Sequence, residues 1–108
     1  IYTSEKDQSD IELASSANFN WNLPTDYIKS TRDFWATSSH TITVSGDVTP
    51  AGKILRVGII EPDGIRRCIY ATGKFAYPFP LDKTGFYCVY AINDNSEVVN
   101  LKGVYATY

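Results

Sequence analysis

The sequence predicts an all-β protein: an antiparallel β-sandwich of seven to eight strands with jelly-roll or Greek-key-like connections. Three observations carry this. Apolar and polar residues alternate with period two over short runs such as Thr41-Ile42-Thr43-Val44-Ser45. Turn formers such as Pro62-Asp63-Gly64 and Asn93-Asp94-Asn95-Ser96 separate the runs, at roughly 8–12-residue spacing. Helix signal is confined to one short stretch, Thr25 to Arg32, which is long enough for a single turn capped by Thr25 or Asp26.

Each element follows from its local pattern. Residues 1–10 are polar and aperiodic and read as a flexible N-terminal arm ahead of a single domain over 11–108. Ile11 and Leu13 flank Glu12, a weak strand signal. Phe19, Trp21 and Leu23 alternate with asparagines, a stronger one, and Pro24 ends it because proline cannot donate to a ladder. Phe34-Trp35 opens the next segment. In Thr41–Ser45 the hydroxyls face out and Ile42 and Val44 face in, and 46–53, with Gly and Pro, reads as a loop. Leu55, Val57 and Ile59 share one face of the strand from Ile54 to Glu61. Pro62-Asp63-Gly64 then reverses the chain: Pro presets φ, Asp bonds the local backbone and Gly accepts positive φ. The return strand runs from Ile65 to Thr72 and breaks at Gly73. Phe75, Tyr77 and Phe79 alternate next, with Pro78 marking an edge or a strand end.

Leu81–Asn93 turns at Gly85 and then carries apolar or aromatic residues on both faces, as a central strand does. Its register sets Tyr87, Val89 and Ala91 on one face and Phe86, Cys88 and Tyr90 on the other. The polar turn Asn93–Glu97 leads to a last strand with Val99, Leu101 and Tyr105 on one side.

Composition narrows the function classes. A net charge of −2 with mixed signs leaves no basic footprint for nucleic acid. Apolar runs are far shorter than the ~20 residues of a membrane-spanning helix. The opening Ile1-Tyr2-Thr3 suggests a mature or trimmed chain whose targeting segment is missing. No serine-hydrolase elbow, zinc-protease pair, phosphate-binding loop or dinucleotide fingerprint is present, and one histidine precludes a histidine-rich metal site. The expectation is a protein without enzymatic activity and without a cofactor.

The spacing Gly85-x-Tyr87-x-Val89-x-Ala91-x-Asn93 resembles the late strand of extracellular sandwiches, immunoglobulin-like domains among them. That pattern has an acid two residues before the Gly and a Cys two after the Tyr. Lys83 and Val89 stand there instead, Cys88 is one position off, and no Trp lies between Cys68 and Cys88. An immunoglobulin domain is therefore disfavoured. Phe34-Trp35, Thr41–Ser45, Leu55–Gly64, Phe75–Phe79 and Gly85–Asn93 together resemble small bacterial secreted β-sandwich modules of the pre-peptidase C-terminal type. The resemblance implies a jelly-roll-like sandwich, secretion or a cell-surface location, an accessory or binding role, and no catalytic residues.

The candidate site residues are few. The chain has five Phe, two Trp and eight Tyr, and Trp21, Tyr27 and Trp35 lie among Asn and Ser. Flat aromatics beside amides can stack on sugar rings, so these three are the candidate ligand-binding residues; the competing reading is that the tryptophans are core. Cys68 and Cys88 could form a disulfide worth about 3 kcal/mol, or remain free. Either could pair with His40 as a nucleophile, the least favoured of these readings. Asn93–Glu97 has the alternating oxygens of a calcium loop but reads better as a plain turn. The expected partner is an unknown protein or carbohydrate. A secreted binding module, a carbohydrate-binding module using the exposed aromatics and a small protein-binding effector or inhibitor all stay open, as a monomer or weak oligomer.

Overall fold

A computed structural model describes residues 16–108. The expected arm and the weak strand at Ile11–Leu13 lie outside the described residues. Nine strand segments form two antiparallel sheets: β1 (Ser16–Leu23), β2 (Ile28–Ser30), β3 (Phe34–Ala36), β4 (Thr41–Thr49), β5 (Leu55–Ile60), β6 (Arg66–Ala71), β7 (Gly73–Pro80), β8 (Gly85–Ile92) and β9 (Val99–Thr107). Sheet A has the order β1-β9-β4-β7, and sheet B has β2-β8-β5-β6 with β3 also paired to β8. β2 and β3 are two pieces of one interrupted edge, which reconciles nine segments with the eight positions of a jelly roll. The chain alternates between sheets at every connection except β2–β3 and the β5–β6 hairpin. Those alternations make the two interlocked Greek keys of that fold.

The period-two pattern sets which faces meet. Leu23, Ile42, Val44, Val48 and Leu101 of sheet A pack on Leu55, Val57, Ile59, Val89 and Ala91 of sheet B, all fully buried. Phe34, on the sheet B edge, stacks on Tyr105 of sheet A with ring centroids 4.3 Å apart. β8 is central, as its doubly apolar sequence required, with β5 on one side and β2 and β3 on the other. β7 is an edge, consistent with Pro78. The Pro62-Asp63-Gly64 turn forms as read: Glu61 N donates to Ile65 O at 2.8 Å, and Gly64 N donates to Glu61 O at 2.8 Å.

Two local expectations are corrected, and the break at Gly73 is explained. No helical turn forms at 25–32. Asp26 N donates to Asn93 O at 2.8 Å and Asn93 N to Tyr27 O at 3.0 Å, so pairing with the end of β8 takes the stretch into β2. The Gly46-led loop begins later than read, because Gly46–Thr49 continues β4 between β9 and β7. Gly73 moves the chain from sheet B to sheet A, with φ at 56°, a conformation glycine adopts without strain.

Buried polar groups fasten both ends of β8. At one end the Asn93 side chain, fully buried, donates from Nδ2 to Leu23 O (2.8 Å) and Glu97 O (2.7 Å), and its Oδ1 accepts from Asn95 N (2.8 Å). At the other end the buried Glu61 carboxylate meets Lys83 Nζ at 2.7 Å and Arg67 Nη1 at 3.3 Å, while Lys83 also reaches Asp63 at 2.9 Å. Tyr87 Oη donates to Lys83 O at 2.6 Å.

Asn93→Ala leaves the Leu23 and Glu97 carbonyls and the Asn95 amide without that partner. It should lower unfolding stability by roughly 3 kcal/mol, read as a drop in the urea midpoint at unchanged slope. Asp94→Ala, one residue on and exposed, should move the midpoint little.

Candidate binding face on sheet B

The outer face of sheet B is built from rows set by strand register. The first row is Trp35–Phe86, the second Cys88–Ile60–Arg66, the third Ser30–Tyr90–Gly58–Cys68, and the fourth Ile28–Ile92–Arg56–Tyr70. For the solvent side of a sheet this is apolar and aromatic. Trp35 and Phe86 are 53% and 57% exposed, and their rings meet edge to face with centroids 5.1 Å apart. Tyr70 and Ile28 are also exposed, at the far end of the face.

Between the exposed ends, Tyr90 and Cys88 on the central strand are buried, flanked by exposed Ser30, Arg66 and Cys68. Tyr90 points outward from the core yet is buried, and the Arg66 guanidinium sits 5.5 Å from its ring centroid. Burial and the Cys68 side chain hold the Tyr90 phenol up at about 12. Burial also raises the Cys88 thiol, with Asp33 adding to the shift. Arg56 grips Asp94 with Nε–Oδ2 at 2.8 Å and Nη2–Oδ1 at 3.0 Å, which lowers the Asp94 carboxyl.

The residues singled out in the sequence are distributed, not clustered. Trp21 is only 7% exposed. It lies on the inner face of sheet A against Phe19, centroids 4.4 Å apart, so its ring faces are core and it leaves the candidate platform. Tyr27 is exposed, but it pairs with Asn93 at the opposite end of β8 from Trp35. Seven residues of strand separate Phe86 from Asn93, about 24 Å. Trp35 instead has Phe86 as its companion, a residue the register had placed on this face without any role being drawn from it.

The disulfide does not form: Cys68 and Cys88 are both free. β5 lies between their strands, Cys68 opposite Gly58 and Cys88 opposite Ile60. Two strand spacings of about 4.8 Å and a two-residue offset put the Cα atoms well over 7 Å apart, beyond disulfide reach. His40 has neither cysteine as a partner; its Nδ1 lies 2.7 Å from Thr37 Oγ1 in the β3–β4 turn. The Asn93–Glu97 oxygens are also committed: Asn93 Oδ1 to Asn95, Asp94 to Arg56, and Glu97 to Lys53 at 2.6 Å, which lowers the Glu97 carboxyl. Among the described residues no cluster of three or more metal-ligating side chains occurs.

No protein-family model matches the chain, and no curated protein does. A solved structure does share its fold, and others resemble it more weakly. The periplasmic g-type lysozyme inhibitor PliG of Aeromonas hydrophila superposes with a TM-score of 0.57 at 13% identity, over 87% of this chain and 85% of that one. A carbohydrate-binding module, CBM36, solved with calcium and xylotriose, gives 0.47 at 16% identity over 90% and 95%. A family two carbohydrate esterase from Cellvibrio japonicus gives 0.40 at 14% identity, with only 34% of its length covered. The strand order and the PliG superposition make the chain a small jelly-roll β-sandwich, and the resemblance seen in the sequence holds at the level of that fold only.

A thiol reagent should titrate one group, Cys68, in the native protein and two after denaturation without reductant; zero in both states would restore the disulfide. Tyr90 has a folded value above that of a free phenol, so the folded state retains its proton longer. Its contribution should be intact below pH 10 and be lost as pH rises toward about 12. Melting temperatures across that range should fall less steeply for Tyr90→Phe than for the parent.

Proposed function

We propose that this chain is a secreted, non-catalytic binding module that holds a protein partner against the outer face of sheet B, with Trp35 and Phe86 as anchors. The observation carrying the reading is the exposed Trp35–Phe86 pair on two hydrogen-bonded strands. Two large rings standing in water on rigid strands have no folding role that requires exposure, and they lose little entropy when a partner covers them. Arg66, Arg56 and Tyr70 complete a face rich in the residue types that dominate protein interfaces. Several of the carboxylates that could have served acid–base chemistry are tied to cations: Glu61 and Asp63 to Lys83, Asp94 to Arg56, Glu97 to Lys53. The fold is compatible with such a role, since PliG, which shares it, is by description an inhibitor of another protein; its target is not transferred with the fold.

A carbohydrate platform using Tyr27 and Trp35 is the less supported reading, since the two stand at opposite ends of β8.

The test compares wild type with Trp35→Ala/Phe86→Ala as baits against the secreted proteins of the source organism. A single protein captured by wild type should be lost from the double variant, with affinity down at least about tenfold and the circular dichroism spectrum unchanged. Binding to an immobilised glycan that Trp35→Ala abolishes would transfer the face to the carbohydrate reading.

A further inference from the structure

The opposite face of the sandwich carries a groove unrelated to the aromatic pair. It has a volume of about 500 Å³ and crosses β1, β9 and β4. That size falls in the range of about 300–1,000 Å³ typical of small-ligand sites. Register explains its shape. Asn18, Val104 and Ser45 form one transverse row, and Asn20, Lys102 and Asp47 form another. Both rows point outward, about 7 Å apart along the strands. The row between them, Phe19–Gly103–Gly46, points inward, so the groove has a backbone floor between two walls of side chains.

The floor is held from beneath. A Cβ on Gly103 would fall 2.7 Å from the Phe19 ring, and one on Gly46 would fall 2.6 Å from Lys102 O. The two glycines let Phe19 pack across β9 and let β4 and β9 close up.

The wall chemistry is specific. Asn100 Nδ2 donates to Asn20 Oδ1 at 2.9 Å and to Asn22 Oδ1 at 2.8 Å. This fixes the Asn20 amide with both Nδ2 hydrogens unspent and directed away from Asn100. Asn18 and Ser45 add groups that both donate and accept. Lys102 is the one charged residue in the groove lining, with Asp47 beside it in register and Lys74 beyond Asp47. No aromatic side chain points outward along these rows. The paired donors and acceptors of Asn18, Asn20 and Ser45 suit hydroxyls, which also do both.

We propose that this groove is a second binding site and that it takes a hydroxyl-rich ligand, a short oligosaccharide lying across β1, β9 and β4. It is independent of the Trp35–Phe86 face. The Asn20 amide, oriented in advance by Asn100, is the main specificity group.

The experiment is a titration of the ¹⁵N-labelled protein with xylohexaose, cellohexaose and chitohexaose at millimolar concentration, followed by amide shifts. With at least one of the three, shifts should concentrate at 18–20, 45–47 and 100–104. Asn20→Ala should weaken that binding at least about tenfold, and Asn18→Ala, also exposed, should weaken it less. Trp35→Ala should leave it unchanged, which separates this site from the protein-binding face. Absence of shifts with all three sugars, or shifts confined to Trp35, Phe86 and their neighbours, would overturn the proposal.

Discussion

The Asn93 side chain is the interaction on which the arrangement of both sheets depends. One amide holds the last residue of β1, the carbonyl of Glu97 before β9, and the turn residue Asn95. Its backbone also pairs with Asp26 and Tyr27 in the β1–β2 connection. A jelly roll changes sheets at nearly every turn, so its strand ends must be tied across a gap that no ladder spans. A fully buried amide that satisfies three backbone groups does this, because each group would otherwise be desolvated without a partner.

The opposite end of β8 is tied by charge. Glu61 is buried, and a buried carboxylate is tolerable only when paired. Lys83 and Arg67 supply the pairing from the β7–β8 turn and from β6, so the hairpin, the turn and the central strand lock together. Asp63 shares Lys83, and its carboxyl is lowered chiefly by that bond. Between these fixed ends, β8 presents Tyr87, Val89 and Ala91 to the core and Phe86, Cys88 and Tyr90 to the other side.

The consequence is a rigid two-sided scaffold whose outer faces differ in chemistry. Sheet B is aromatic at its ends and covered at its centre. Sheet A is lined with asparagine, serine and threonine along β1 and β4, with a groove at its middle. Function in such a fold rests on these faces, since the topology is shared by proteins that do different things.

Local sequence determined most of the strands, because alternation with period two and Pro/Gly punctuation act within a few residues. It placed the Pro62-Asp63-Gly64 hairpin, the inward Ile42 and Val44, the central position of β8, and the sides of Phe86, Cys88 and Tyr90. What it could not reach is set by partners distant in the chain. The 25–32 stretch became an edge strand because Asn93 was there to pair with it. Trp21 and Trp35 share an aromatic identity and an Asn/Ser-rich setting, yet one is core and the other stands in solvent, because β1 presents Trp21 inward and β3 presents Trp35 outward. Cys68 and Cys88 share a face, but β5 intervenes, and strand order is invisible to local pattern. The groove likewise exists only because three strands remote in sequence align two glycines and Phe19 in one row. The sequence alone determined most of the strands and the alternation of faces within each, because those signals act locally; the tertiary structure decided which face meets the core and which strands lie side by side, and that adjacency made both candidate sites.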